Sequence, residues 1–156
     1  MSITMDIDLE TGLRMATSVV LGAAIGFNRD IHGKPTGIRA HALVSLGAAI
    51  LMVAGSGSHI GGSHPDAMSR VIQGIVAGIG FLGAGVILRG AHGRQVYHLV
   101  TASSLWVTTG IGVLCGMGAY ELALIATALV LIVLVLGLRL DRWLYGRAGV
   151  KDDDRA

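Results

Sequence analysis

Charge is what this sequence has least of. Only 14% of its residues are charged and 53% are hydrophobic, giving a mean hydropathy of +0.69. A soluble chain of 156 residues must wet a large surface, and ordinary usage includes about 25% charged residues. With so few charges, lipid must do part of the solvating. Cysteine is nearly absent too. Cys115 stands alone, which excludes an intrachain disulfide; inside an apolar run it reads as a small, buried, inert thiol. Also missing is positive charge ahead of the first apolar run, which carries Asp6, Asp8 and Glu10 instead. That is not the pattern of a secretory signal, so the run is expected to remain in the mature protein as a helix. The net charge of +2, with no dense basic stripe interleaved with aromatics, argues against nucleic acid as a partner.

What is present is a row of apolar stretches. A helix crossing the hydrocarbon core needs about 20 predominantly apolar residues. Five stretches qualify: Leu9 to Phe27, Arg39 to Gly55, Val71 to Leu88, Leu99 to Met117 and Tyr120 to Leu138. The first is the least clean, because Glu10 and Arg14 sit near its outer end, where a spacing of four lets them pair or snorkel. Polar residues fall between the stretches. Arg29, Asp30, His32, Lys34 and Pro35 follow the first, His59, His64, Pro65 and Asp66 the second, and His92, Arg94 and His98 the third. Gly116, Gly118 and Glu121 mark a tight turn between the last two spans. The expected fold is an all-α integral membrane protein, with a five-helix domain over residues 1–145 and a short, charged, disordered tail over 146–156.

Basic residues orient the bundle. With five spans, one side holds Arg29, Lys34, Arg39, Arg89, Arg94, Arg139, Arg142, Arg147, Lys151 and Arg155, while the other holds only Arg14 and Arg70. This asymmetry places the N-terminus outside and the C-terminus in the cytoplasm. A four-span arrangement would spread the basic clusters over both sides. Trp143 and Tyr145, beside Arg139 and Arg142, read as anchors at the interface.

Glycine suggests which spans touch. The third contains Gly74, Gly78, Gly80, Gly83 and Gly85, and is therefore the expected centre of the bundle. Gly22 with Gly26, Gly74 with Gly78, and Gly112 with Gly116 form small-xxx-small pairs, which let helix backbones approach closely in lipid. The fifth span is bulky and apolar all round from Ala123 to Leu136, as expected of a lipid-facing helix. Gly78-Ile-Gly-Phe-Leu-Gly83 matches a dinucleotide-binding fingerprint, but that motif needs a preceding strand and an acidic residue about 20 positions on. No Asp or Glu occurs between Asp66 and Glu121. The match is helix packing.

Chemistry has few places to sit. Ionisable groups at membrane depth are the default candidates, yet Glu10, Asp30, Asp66 and Glu121 all fall near span ends. Magnesium is usually bound through one or two carboxylates, so a buried cation pathway has little to build on. A cluster at the cytoplasmic rim is more suggestive: Asn28, Arg29 and Asp30 close the first span, and Arg39 and His41 open the second. Asp30 is placed to pair with Arg39 or to hydrogen-bond His41. Positive-inside anchoring with a structural ion pair is an equal reading. The fourth span has a polar face of Thr101, Ser104 and Thr108. Interhelical glue is the plain reading, and a polar groove against the third span's glycines is the functional one. His32, His59, His64, His92 and His98 lack the spacing of a helical metal site. Neither a metal nor a cofactor is expected, and no nucleophile–base pair suggests an enzyme.

Several runs together carry a family resemblance. They are Gly78-Ile-Gly-Phe-Leu-Gly-Ala-Gly-Val-Ile-Leu-Arg89, Gly37-Ile-Arg-Ala-His41, Leu99-Val-Thr-Ala-Ser-Ser-Leu-Trp106 and Gly110-Ile-Gly-Val-Leu-Cys-Gly-Met-Gly118. In order and spacing the chain resembles the MgtC/SapB family of bacterial inner-membrane proteins over roughly Gly12 to Gly118. Two departures stand at the rim. The family's Glu-Arg-Glu is Asn28-Arg29-Asp30 here, and its Arg-Thr-His is Arg39-Ala40-His41. The sequence also stops soon after the fifth span, so a short form without the soluble domain of longer members is the expectation.

The resemblance implies a role in adaptation to low magnesium and, in pathogens, in intracellular survival. It also implies a link to the membrane sector of the F-type ATP synthase. Two functional expectations follow. One is a membrane regulator acting by helix–helix contact with itself, as a homo-oligomer such as a dimer, or with another membrane complex. The other is a small transporter or channel subunit for magnesium or another solute.

Overall fold

The computed structural model describes residues 9–56, 65–89 and 98–148. His59, His64, His92, Arg94 and the tail from residue 149 lie outside that description, as do the side chains of Trp143 and Tyr145. The described residues form five helices and no strand: α1 (Leu9–Ile31), α2 (Ile38–Gly55), α3 (Pro65–Arg89), α4 (Leu99–Gly116) and α5 (Tyr120–Ala148). α3 begins before the expected Val71, because Pro65 suits a first helical position and Asp66 suits the first turn. α5 continues past Leu138, so residues 146–148 of the expected tail are helical.

Two turns are written plainly in the sequence. After α1, Gly33 adopts φ +61°, while Lys34 N donates to Arg29 O at 3.0 Å and Gly33 N to Asp30 O at 3.0 Å. After α4, Gly118 adopts φ +78°, while Ala119 N donates to Leu114 O and Gly118 N to Cys115 O, both at 2.9 Å. Both are Schellman ends, in which glycine takes the left-handed position and the orphan carbonyls are satisfied.

Four helices, α2 to α5, are long and apolar enough to cross a membrane. α1 is not among them, since Glu10 and Arg14 at one end and Arg29 and Asp30 at the other leave a shorter stretch free of charge than the usual ~20 residues. It nevertheless runs antiparallel to α4 along that helix's height. Arg14 Nη1 donates to Gly116 O at 3.1 Å at one end, and Arg29 bonds Thr101 at the other. Arg14 also pairs with Glu10 at 3.1 Å.

The central helix is α4 rather than the expected α3. α4 touches all four other helices, whereas α3 touches only α2 and α4. Half of the α4 span (50%) is buried inside the bundle, against 11% of the α3 span. The reason is where the glycines point. A Cβ added at Gly74, Gly78, Gly80 or Gly85 would meet nothing within 4 Å, and one at Gly83 only the Ala102 Cβ at 3.8 Å. The close approaches lie elsewhere. A Cβ at Gly22 would stand 2.7 Å from His41 O, and one at Gly26 2.7 Å from Gly37 O. One at Gly116 would stand 2.8 Å from Ala49 O, and one at Gly112 would overlap the Ser45 carbonyl. α2 is thus clasped between α1 and α4.

α5 contributes a thin inner stripe, with Ala123 and Thr127 buried and Leu122, Ile125, Leu129 and Val133 exposed. Ala123 closes an apolar cluster with Leu21, Ile25, Ile111 and Cys115. α3 is held through Ile75 against Ala48 and Met52. The fingerprint-like run Gly78 to Gly83 lies in the middle of α3. Gly112→Ala is therefore expected to destabilise the protein by about 1–3 kcal/mol through overpacking, while Gly74→Ala is expected to be neutral or stabilising. Thermal midpoints of the two variants in the same detergent check this.

Candidate functional site

The clasp around α2 brings polar side chains of three helices together at one end of the bundle. Arg29, near the C-terminal end of α1, is 5% exposed, while His41 of α2 and Thr101 and Ser104 of α4 are each 5% exposed or less. The Arg29 guanidinium reaches across from α1. Its Nη2 donates to Thr101 Oγ1 and to Pro35 O at 3.4 Å. Its buried Nε has no partner.

His41 continues the chain of contacts. Its Nδ1 lies 3.2 Å from Gly37 O and its Nε2 lies 3.2 Å from Ser104 Oγ. A carbonyl cannot donate, so Nδ1 carries a proton, and in the neutral ring Nε2 accepts from Ser104. Yet the Ser104 hydroxyl is also 2.8 Å from Thr101 O. One hydroxyl proton thus has two acceptors, and its choice is tied to the protonation of the ring. Thr108 spends its hydroxyl on Ser104 O, 2.8 Å away in its own helix, which is the ordinary behaviour of a hydroxyl in a membrane helix.

The rim residues separate. Asp30 pairs with neither Arg39 nor His41. It is exposed and accepts from Ile38 N at 3.0 Å, capping the amide end of α2, where a carboxylate is favoured. The turn at Gly33 folds the chain back so that Asp30 meets the first residue of α2. Arg39 is exposed and Asn28 half-buried; the Asn28 carbonyl accepts from His32 Nδ1 at 2.7 Å. The polar face of α4 bonds neighbouring helices and its own backbone, and the alternative of a polar groove against the α3 glycines does not form. Thr101 and Ser104 meet Arg29 and His41 rather than the α3 glycines, and α3 lies instead along a groove lined by Ala102, Ser103, Trp106 and Val107.

Sequence reasoning missed Ser45. It is fully buried, and its hydroxyl has no partner. The signal was its position one helical turn after His41, on the face that meets Gly22 and Gly112. Among the described residues no group of three His, Cys, Asp or Glu side chains gathers as a metal site would require.

Comparison with known proteins fixes the relationship. The MgtC family matches residues 15–143. This chain belongs to the MgtC family. Protein MgtC of Salmonella typhimurium is 43% identical over 119 residues, covering 76% of this chain and 48% of that one. Protein SrpB of Synechococcus elongatus is 38% identical over 146 residues, covering 87% and 80%. The Escherichia coli protein named "Putative magnesium transporter YhiD" is 35% identical over 130 residues, covering 78% and 58%. The chain spans about half the length of the Salmonella relative, and no solved structure matches it significantly. The MgtC-family match takes in the whole α1–α2–α4 polar cluster, from Arg29 to Ser104.

A charge-assisted hydrogen bond in a buried site contributes about 1.5–3 kcal/mol. A double-mutant cycle of Arg29→Gln with Thr101→Val is expected to show a coupling of about 2 kcal/mol. Reversible unfolding in mixed micelles provides the measurement.

Proposed function

We propose that this MgtC-family membrane protein is a regulator, linked to adaptation to low magnesium, that acts through helix–helix contact with itself or with another membrane complex. The observation that carries this reading is the open face of α3. Gly74, Gly78 and Gly85 are offset by four and seven residues and so share one side of the helix, where none of the described residues lies within 4 Å of an added Cβ. Phe81 stands on the same side and is 81% exposed. Lipid tails gain little from a glycine floor, whereas a second helix can approach it closely. A bulky ring beside that floor makes the face self-complementary, in keeping with a homo-oligomer such as a dimer. The family resemblance adds the membrane sector of the F-type ATP synthase as a candidate partner.

The same reading places five spans in the bacterial inner membrane, with the N-terminus outside and the C-terminus in the cytoplasm. The antiparallel run of α1 along α4 supports α1 as a span despite its charged ends, and the distribution of Lys and Arg supports the orientation. A second reading, a small transporter or channel subunit for magnesium or another solute, draws on the name of the Escherichia coli relative and on the buried polar cluster. That cluster occupies one end of the bundle, and the α4 hydroxyls beyond it bond their own helix.

Gly78→Leu combined with Gly85→Leu tests the first reading, because an added Cβ at either position meets none of the described residues within 4 Å. The variant is expected to keep its helicity and elution as a folded protein. It is also expected to lose self-association or partner co-purification by at least tenfold, together with support of growth in low magnesium. Full association and full growth by the variant would overturn the proposal.

A further inference from the structure

We infer that the outward face of α3 takes α3 of a second copy of this chain, side by side and parallel, and that Asp66, Arg70 and Gln73 lock the pair. The inference rests on the reading of α3 as a contact helix and commits that contact to one partner. The buried residues of α3, Ile75 and Ile79, mark the side that α2 and α4 hold. On the side away from them Asp66, Arg70, Gln73, Ala77, Gly80 and Ala84 follow at offsets of four, three, four, three and four, and all six are exposed. That alternation is the repeat of about 3.5 residues found where two helices wind together. The glycine floor of Gly74, Gly78 and Gly85 runs beside this seam, with Phe81 between them.

Lipid suits the seam poorly. Gln73 lies about 10 Å along the helix from Asp66, within the Asp66–Ile87 stretch that is long and apolar enough to cross a membrane. Its amide carries two donor hydrogens and an oxygen with two lone pairs. Among the described residues its bond is from Nε2 to Ser69 Oγ at 3.2 Å. A partly satisfied amide in hydrocarbon is costly, and bonding to a second helix is the usual relief.

Complementarity names the occupant. Copies of one chain enter the membrane the same way round, so a two-fold pair sets α3 parallel to itself. Asp66, Ser69, Arg70 and Gln73 line an open polar hollow, and their spacing is that of the four-residue hole which receives one knob of a facing helix. In a parallel pair the knob at this height is the partner's Arg70, which meets the Asp66 carboxylate, and symmetry makes the contact twice. The two guanidinium groups approach each other as well, each beside a carboxylate of the other copy. Within the chain, the ion pair of the described residues is Arg14 with Glu10, so Asp66 and Arg70 are not spent on each other. Gln73 meets the partner's Gln73, and an amide is its own complement. Beyond it Ala77, Gly80 and Ala84 are small enough for the backbones to come close.

The test measures self-association of the full chain in phosphatidylcholine vesicles, by energy transfer between copies labelled at the C-terminus and diluted with added lipid. Asp66→Arg alone and Arg70→Asp alone set like charges together, and each is expected to weaken association by about tenfold or more. Joined in one chain, the two changes exchange the pair and are expected to restore most of the association. Ala77→Cys, on the seam, is expected to cross-link between copies on mild oxidation, whereas Val76→Cys, off it, is not. A chain that is monomeric at every dilution overturns the inference and leaves the face to a different membrane protein. Association indifferent to both single variants, or an exchanged variant no better than they are, overturns it too. Growth in low magnesium is read on the same variants. Growth supported by a monomeric chain overturns the inference alone, whereas growth indifferent to variants that do lose association leaves the seam standing and counts against regulation by self-contact.

Discussion

α2 lies between α1 and α4 at separations that only glycine permits, and most of the bundle follows from that. Gly22 and Gly26 of α1 face the carbonyls of His41 and Gly37, while Gly112 and Gly116 of α4 face those of Ser45 and Ala49. In lipid there is no hydrophobic gain from bringing helices together, so contact between backbones must hold them. The same closeness sets the polar site. An arginine on α1 touches a threonine on α4, and a histidine on α2 touches a serine on α4, because the glycine faces of α1 and α4 draw the three helices close.

Much of this was legible in the sequence. The helices sit where the apolar runs place them, and the glycine turn expected between the last two spans forms at Gly118. The pairs Gly22/Gly26 and Gly112/Gly116 lie at the tightest crossings. What failed was the step from glycine content to centrality. Five glycines in α3 say that another backbone is able to come close, not whose backbone it is. The centre is α4, whose small and hydroxylated residues point to several neighbours at once.

The rim cluster was half legible. The short loop does bring Asp30 to the start of α2, as its length requires. An ion pair with Arg39 nevertheless loses to the unsatisfied amide of Ile38, which lies directly in the path of the turn. The sequence places Arg29 in the rim cluster, as a candidate site residue or as a positive-inside anchor, and nothing in one helix's sequence shows that its side chain will be covered by another helix. Thr101 offered the missing half, and only the antiparallel register of α1 and α4 joins the two. Ser45 escaped notice for the same reason, since its burial is a property of two neighbours rather than of its own span.

Taken together, the bundle has a firmly interlocked core of α1, α2 and α4, a loosely held α3 and a lipid-facing α5. Its buried Arg29, His41, Thr101 and Ser104 cluster sits at one end, while the buried hydroxyls of Ser18, Thr108, Thr109 and Thr127 bond carbonyls of their own helices. The regulatory proposal has such a body act by contact and not by conduction. Magnesium flux into proteoliposomes containing only the purified protein tests this most directly, with an Asp30→Ala, Arg39→Ala variant alongside. The account predicts a tight membrane with folded protein in both cases. Flux that requires Asp30 and Arg39 would contradict it and make the rim the entry to a transport path.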